Sequence, residues 1–201
     1  MADEEKIEQP DKGTKLNPDK KKKKKVSEAY LERAALHYLG RFSSSEHNLS
    51  EVLQRKVRRR NEGFAPANDQ QRQWIDAVVA KCVRYGYVDD AQYAKQRAYG
   101  LLRKGKPARI ILQDLRHKGV AEDLAAQVMR DLSEISGAGL DNRAAAAYVK
   151  RRRFGPFRRE SAASQEKREK EIAAMMRAGF RFDLVQTTLD MSEEEIIGLL
   201  V

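Results

Sequence analysis

One cysteine, Cys82, leaves the chain no second thiol for an intramolecular disulfide and too few thiolates for a zinc site. It falls on an apolar helix face and reads as a small buried hydrophobe. The three histidines, His37, His47 and His117, show no metal-ligand spacing with one another or with Cys82. No metal and no cofactor is therefore expected. A G-x-x-x-x-G-K-[ST] loop is missing, which argues against a P-loop ATPase. The pair Asp89-Asp90 reads as a helix N-terminal cap rather than as acid–base machinery. With no nucleophile, base or metal cage in view, the chain is not expected to be an enzyme. No apolar run approaches the ~18 residues of a membrane span. The first residues are acidic and polar rather than signal-like, so the expected compartment is the cytoplasm, away from any membrane. Aromatic residues make up only 7% of the chain and hydrophobic residues 41%. A core that thin suits a helical solenoid better than a compact sphere, and Trp74, the single tryptophan, reads as part of it.

What the chain has in quantity is charge, and that charge is ordered. Lys and Arg outnumber Asp and Glu by 40 to 30, for a net charge of +10. Residues 41–60 carry +4, 95–118 carry +7 and 143–170 carry +7. Between and after them lie acidic stretches of −2 over 61–94, −4 over 119–142 and −4 over 171–201. A basic strip that recurs with the helices is the electrostatic requirement for lying along a polyanion or a nucleoprotein filament.

Residues 1–27 show no periodicity, contain Pro10 and Pro18, and end in the run Lys20 to Lys25. This basic arm reads as disordered, either a loose nucleic-acid tether or a solubilising tail. From residue 28 the pattern is helical throughout. Leu31, Ala35, Tyr38, Leu39 and Phe42 form one face, and Ser43 with Glu46 spells a capping box before Leu49, Val52, Leu53 and Val57. Asp69 is placed to cap a third helix with Ile75, Val78, Val79 and Cys82 inward, stopped at Gly86. The phrase returns from Asp89 or Asp90, with Pro107 opening its second helix. It returns again from Asp141, with Ile172, Met175 and Met176 packing. Phe182 to Leu189 forms a last short helix, and Ser192 and Glu195 supply a capping box for an end segment. The expected class is all-α, with tandem three-helix repeats stacked into an elongated, curved array. The units are 28–86, 87–137 and 138–201, the last including a C-terminal cap.

A shift of 62 residues lays Leu49 on Ile111, Leu53 on Leu115, Lys56 on Lys118 and Arg41 on Arg103. The third copy fits less well, with extra residues between Arg152 and Ile172. Cations gather at helix ends and turns: Arg58, Arg59 and Arg60; Arg103, Lys104, Lys106 and Arg109; Arg151, Arg152, Arg153, Arg158 and Arg159. In a solenoid, equivalent turns emerge on one side. These clusters are therefore expected to form a ladder contacting DNA or an acidic partner.

The phrase Asp89-Asp90-Ala91-Gln92-Tyr93-Ala94, then Arg103-Lys104-Gly105, then Ile111-x-x-x-Leu115-x-x-Lys118-Gly119-Val120, resembles the central signature of the RecX family. Ala35-Leu36-x-x-Leu39 and Leu49-x-x-x-Leu53-x-x-Lys56 resemble its opening repeat, and the likeness covers about residues 28–190. The resemblance implies an elongated array of three-helix repeats without a catalytic site. It also implies binding to RecA recombinase and the RecA–DNA nucleoprotein filament, with suppression of strand exchange and ATP hydrolysis. Such a protein, expected to act as a monomer, belongs to DNA repair, recombination and the SOS response. The alternative left by the charge pattern alone is a sequence-nonspecific DNA-binding protein acting without RecA.

Overall fold

The computed structural model describes residues 25–137, 139–158 and 165–200. Among these residues the regular structure is all helix, α-helices with two short 3-10 turns at Glu62–Phe64 and Gly155–Phe157, and there is no strand. Helices α1 (Glu28–Leu39), α2 (Glu46–Arg60) and α3 (Asp69–Arg84) make a first unit, and α4 (Asp90–Arg103), α5 (Ala108–His117) and α6 (Glu122–Ser136) a second. The third contains α7 (Leu140–Arg152), α8 (Gln165–Ala178) and α9 (Phe182–Asp190), closed by α10 (Glu193–Gly198). The result is a tandem array of three-helix units. Helices α2 and α5 begin 62 residues apart, and the pairs that the shift superposes, Leu49 with Ile111 and Leu53 with Leu115, are all fully buried.

Several helix starts differ from the sequence expectation by a residue or two. Ser45, not Ser43, caps α2 by accepting from the Asn48 N–H. Asn68, not Asp69, caps α3, and Gln71 completes that capping box. Asp89 caps its own helix through Gln92, while Asp90 serves a neighbouring unit. The box of Ser192 and Glu195 forms as read. Two residues expected inside are outside. Phe42 lies beyond the end of α1 and is 53% exposed against Tyr38, and Met176 is 42% exposed. Phe42 stands three residues past the last residue of α1, where the helical period no longer holds, and Met176 follows the buried Met175 on the next position around α8.

The units are not stacked evenly. The first unit has its own core, built on Leu31, Ala35, Leu49, Leu53, Val57, Ile75, Val78 and Val88. The second and third share one continuous core, in which α4 packs along α7. Ala94 and Ala98 of α4 and Ala144 and Ala145 of α7 are all fully buried. Side chains this small bring the two helix backbones close and let Leu102, Val149 and Met175 fill the space around them. Gly105, at φ 71°, closes the turn after α4. A Cβ there would stand 2.6 Å from the Tyr148 backbone nitrogen, so no other residue fits.

A two-pronged ion pair braces α4 to α5. Arg97 donates through Nε at 2.7 Å and Nη2 at 2.9 Å to Asp114. The guanidinium holds the Asp114 carboxyl below the usual carboxylate range, against the opposing effect of burial. A carboxylate depressed in the fold contributes stability that is complete above its unfolded pKa of about 4. That contribution is lost as pH falls through the depressed folded value. Asp114→Asn should therefore lower the urea midpoint at pH 7, and the gap to the parent chain should close on acidification below about pH 4. A gap that persists unchanged in acid would remove the ion pair as its cause.

Candidate nucleic-acid interface

The cations expected to form a ladder fall into two groups. Arg58, Arg59 and Arg60 close α2, the second helix of its unit. Arg103 closes α4, and Arg151, Arg152 and Arg153 close α7, both first helices. Helix position therefore makes Arg41, not the Arg58 cluster, the first unit's counterpart of Arg103. Arg58 donates through Nε to the Phe64 carbonyl at 3.1 Å, and Arg60 lies 3.6 Å over the Tyr30 ring. Arg60 also lines a groove with Trp74, Gln70, Gln71 and Lys25, where the lysine run reaches the first unit. Lys20 to Lys24 lie outside the described residues, as does Arg159.

The second and third units do bring cations together. Shared packing of α4 on α7 sets the C-terminal turn of α4 against one face of α7 around a cleft of about 320 Å³. Its walls are Arg103 from α4, and Arg143, Lys150 and Arg151 from α7, over a floor of Leu102, Ala147 and Leu200. Among the described residues no carboxylate lines it. Arg143 donates through Nη2 to the Leu200 carbonyl at 3.1 Å, which fixes that guanidinium beside the others. The turn Lys104-Gly105-Lys106 abuts α7 through the Gly105–Tyr148 contact, with Lys104 exposed and Lys106 half-buried. Arg109, exposed on α5, extends toward Gly179 at the end of α8.

A second cleft of about 500 Å³ lies on the other side of the α7 terminus, lined by Arg152, Arg153, Phe154, Arg158, Lys167, Lys170, Glu171 and Ala174. Arg153 adopts the left-handed conformation, φ 57°, ψ 50°, which ends α7 and turns the chain under this cleft. Arg152 lies 5.7 Å from the Phe154 ring centroid. Arg158 plays another part. Its Nε and Nη2 each donate at 2.6 Å to Glu171, whose carboxylate is largely buried and also accepts from the Gly155 N–H at 3.2 Å. That guanidinium holds the turn after α7 and is not spare for a ligand.

The end of α7 is thus a ridge, with Lys150 and Arg151 on one flank and Arg152 and Arg153 on the other. Part of this excess complements the helix dipole, but a run of four cations exceeds what one helix end requires. Cations that face a common gap without an intervening acid repel one another and attract successive anions, above all phosphates along a backbone. Sequence reading missed Arg143, Lys150, Lys167 and Lys170. For the first two a signal was present: residues 143, 147, 150 and 151 stand at i, i+4, i+7 and i+8, one helix face. Among the described residues no cluster of His, Cys, Asp and Glu suits a metal ion, and no helix is long and apolar enough to cross a membrane.

Residues 89–129 match the family model described as RecX, second three-helix domain. The chain is 37% identical over 180 residues to the regulatory protein RecX of Myxococcus xanthus, covering 86% of this chain and 94% of that relative. It is 27% identical over 176 residues to the regulatory protein RecX of Agrobacterium fabrum, covering 86% and 88%. In three dimensions it is similar to the crystal structure of RecX from Lactobacillus salivarius. That match has a TM-score of 0.51 at 17% identity and spans 86% of this chain and 96% of the other.

Proposed function

Because the chain belongs to the RecX family of regulatory proteins, we propose that it binds RecA recombinase and the RecA–DNA filament and lowers strand exchange and ATP hydrolysis, without chemistry of its own. The observation that carries this reading is the convergence of Arg103, Arg143, Lys150 and Arg151 on one cleft, with the Arg152 and Arg153 cleft beside it. An inhibitor that works by gripping a long polyanionic assembly needs adjacent anion sites on one body rather than a single catalytic pocket. The acidic α6, α9 and α10 offer the opposite charge to basic parts of neighbouring recombinase subunits, so that bridging them stops filament growth or turnover. The protein acts where the recombinase does, in the cytoplasm, in DNA repair and recombination.

The test is RecA ATPase on single-stranded DNA with this protein added below one copy per recombinase subunit. The expected result is a lowered rate, and an unchanged rate overturns the proposal. The two clefts also favour a second reading, sequence-nonspecific DNA binding without a recombinase. It calls for tight binding to bare DNA with a steep salt slope, alongside an unaffected ATPase.

A further inference from the structure

The junctions between units use one repeated device. At the junction of the second and third units, Asp141 of α7 accepts from the Ala108 N–H, the first residue of α5, at 2.7 Å. At the junction of the first and second, Asp90 of α4 accepts from the Glu46 N–H, the first residue of α2, at 2.8 Å. The first and second units thus each have the start of their second helix held by an aspartate from the unit that follows. Around that shared bond the two junctions differ completely. The α4–α7 junction lies within a continuous apolar core. The first junction joins two separate cores, and among the described residues no helix of α1–α3 packs along a helix of α4–α6.

What the first junction has instead is polar and narrow. Ser45 donates its hydroxyl to the Lys118 carbonyl, Lys118 Nζ donates to Asn48 Oδ1 at 3.2 Å, and the Gly119 turn packs directly on the His47 ring. The Asp90 bond is exposed and the Ser45 and Lys118 bonds are part-buried; a few such bonds hold a joint less firmly than a shared apolar core, which does not come apart without exposing its area. Two bodies joined in this way rotate about the joint, and the bond that fixes both helix starts fixes the angle.

We infer that the α1–α3 unit and the α4–α10 body form an articulated pair, and that Asp90 is the positioning residue that sets the angle between them. The angle determines how far the Arg58 cluster stands from the α4–α7 cleft, hence which spacing of anions a single copy spans. The inference does not depend on the identity of the partner, so it is tested on the free protein.

In a Cys82→Ala background, spin labels at Gln70→Cys and Gln186→Cys, both exposed positions, report the distance between the bodies. Asp90→Ala should broaden that distribution, with about a tenfold rise in the population away from the parent distance, the factor set by loss of a charge-assisted hydrogen bond. Asp90→Asn keeps an acceptor oxygen and should restore the narrow distribution. Asp141→Ala removes the equivalent bond from the rigid junction and should leave the distribution unchanged. Trp74 lies in the first unit, so its fluorescence reports whether that unit stays folded. A distribution in Asp90→Ala as narrow as the parent's would overturn the inference. So would equal broadening in Asp141→Ala, or a shifted Trp74 emission showing that Asp90 serves folding rather than angle.

Discussion

Replacing Arg103, Arg143 and Arg151 together by alanine should weaken binding to a recombinase–DNA filament by about two orders of magnitude and lower the slope of log affinity against log salt by about 2. Three cations that face one cleft release counterions together when phosphates replace them, so their removal is felt in salt dependence as much as in affinity. The fold should survive. None of the three guanidiniums is braced by a carboxylate among the ion pairs of the described residues, and removing them relieves mutual repulsion. The control is Arg72→Ala on α3, whose side chain is exposed and paired with Asp69 three residues away. It should leave both affinity and slope unchanged. Equal losses in the control and the triple variant would show a diffuse charge effect and remove the cleft from the interface.

Glu171→Ala should cost about 3–4 kcal/mol of stability. The carboxylate accepts three hydrogen bonds, two from Arg158 and one from the Gly155 N–H. Without it a mostly buried guanidinium has no counter-charge, while Arg152, Arg153, Lys167 and Lys170 remain around the same cleft. The expected fall in melting temperature is on the order of 10 °C for a chain of this size, read by circular dichroism. Glu171→Gln keeps acceptor capacity through its amide oxygen and should lose about half as much. A melting curve for Glu171→Ala within about 2 °C of the parent would show that the turn after α7 does not depend on this anchor.

Local signals in the sequence were enough to place the helices, because each carries its own evidence. The stripes of α1 to α3, the stop at Gly86 and the Ser192–Glu195 box are short-range features that hold whatever lies beyond them. Three consecutive serines, Ser43 to Ser45, made the start of α2 ambiguous, since any of them suits a cap. The structure selects Ser45 because its hydroxyl also reaches Lys118, 73 residues away. The same long-range choice separates Asp89 from Asp90, which are alike in sequence and opposite in role. Arg158 looked like any other arginine in a basic tract. Its difference lies in Glu171, whose burial depends on how the turn after α7 folds back. The cleft was half legible: Arg103 and Arg151 stand out as helix-end cations and Arg143 shares a face of α7 with Arg151, while only the packing of α4 on α7 brings Arg103 beside them. Which cations share a gap is a property of tertiary packing, and charge counts along the chain do not contain it.

The aspartates that reach back across the junctions give biosynthesis a direction. A ribosome delivers α2 before Asp90 and α5 before Asp141, so each of the first two units leaves the exit tunnel with an open N–H at the head of its middle helix. The missing carboxylate arrives only with the next stretch of polypeptide. The first and second units are thereby each finished by their successor, and a transcript cut short between α3 and α4 yields a first unit that still lacks its last bond.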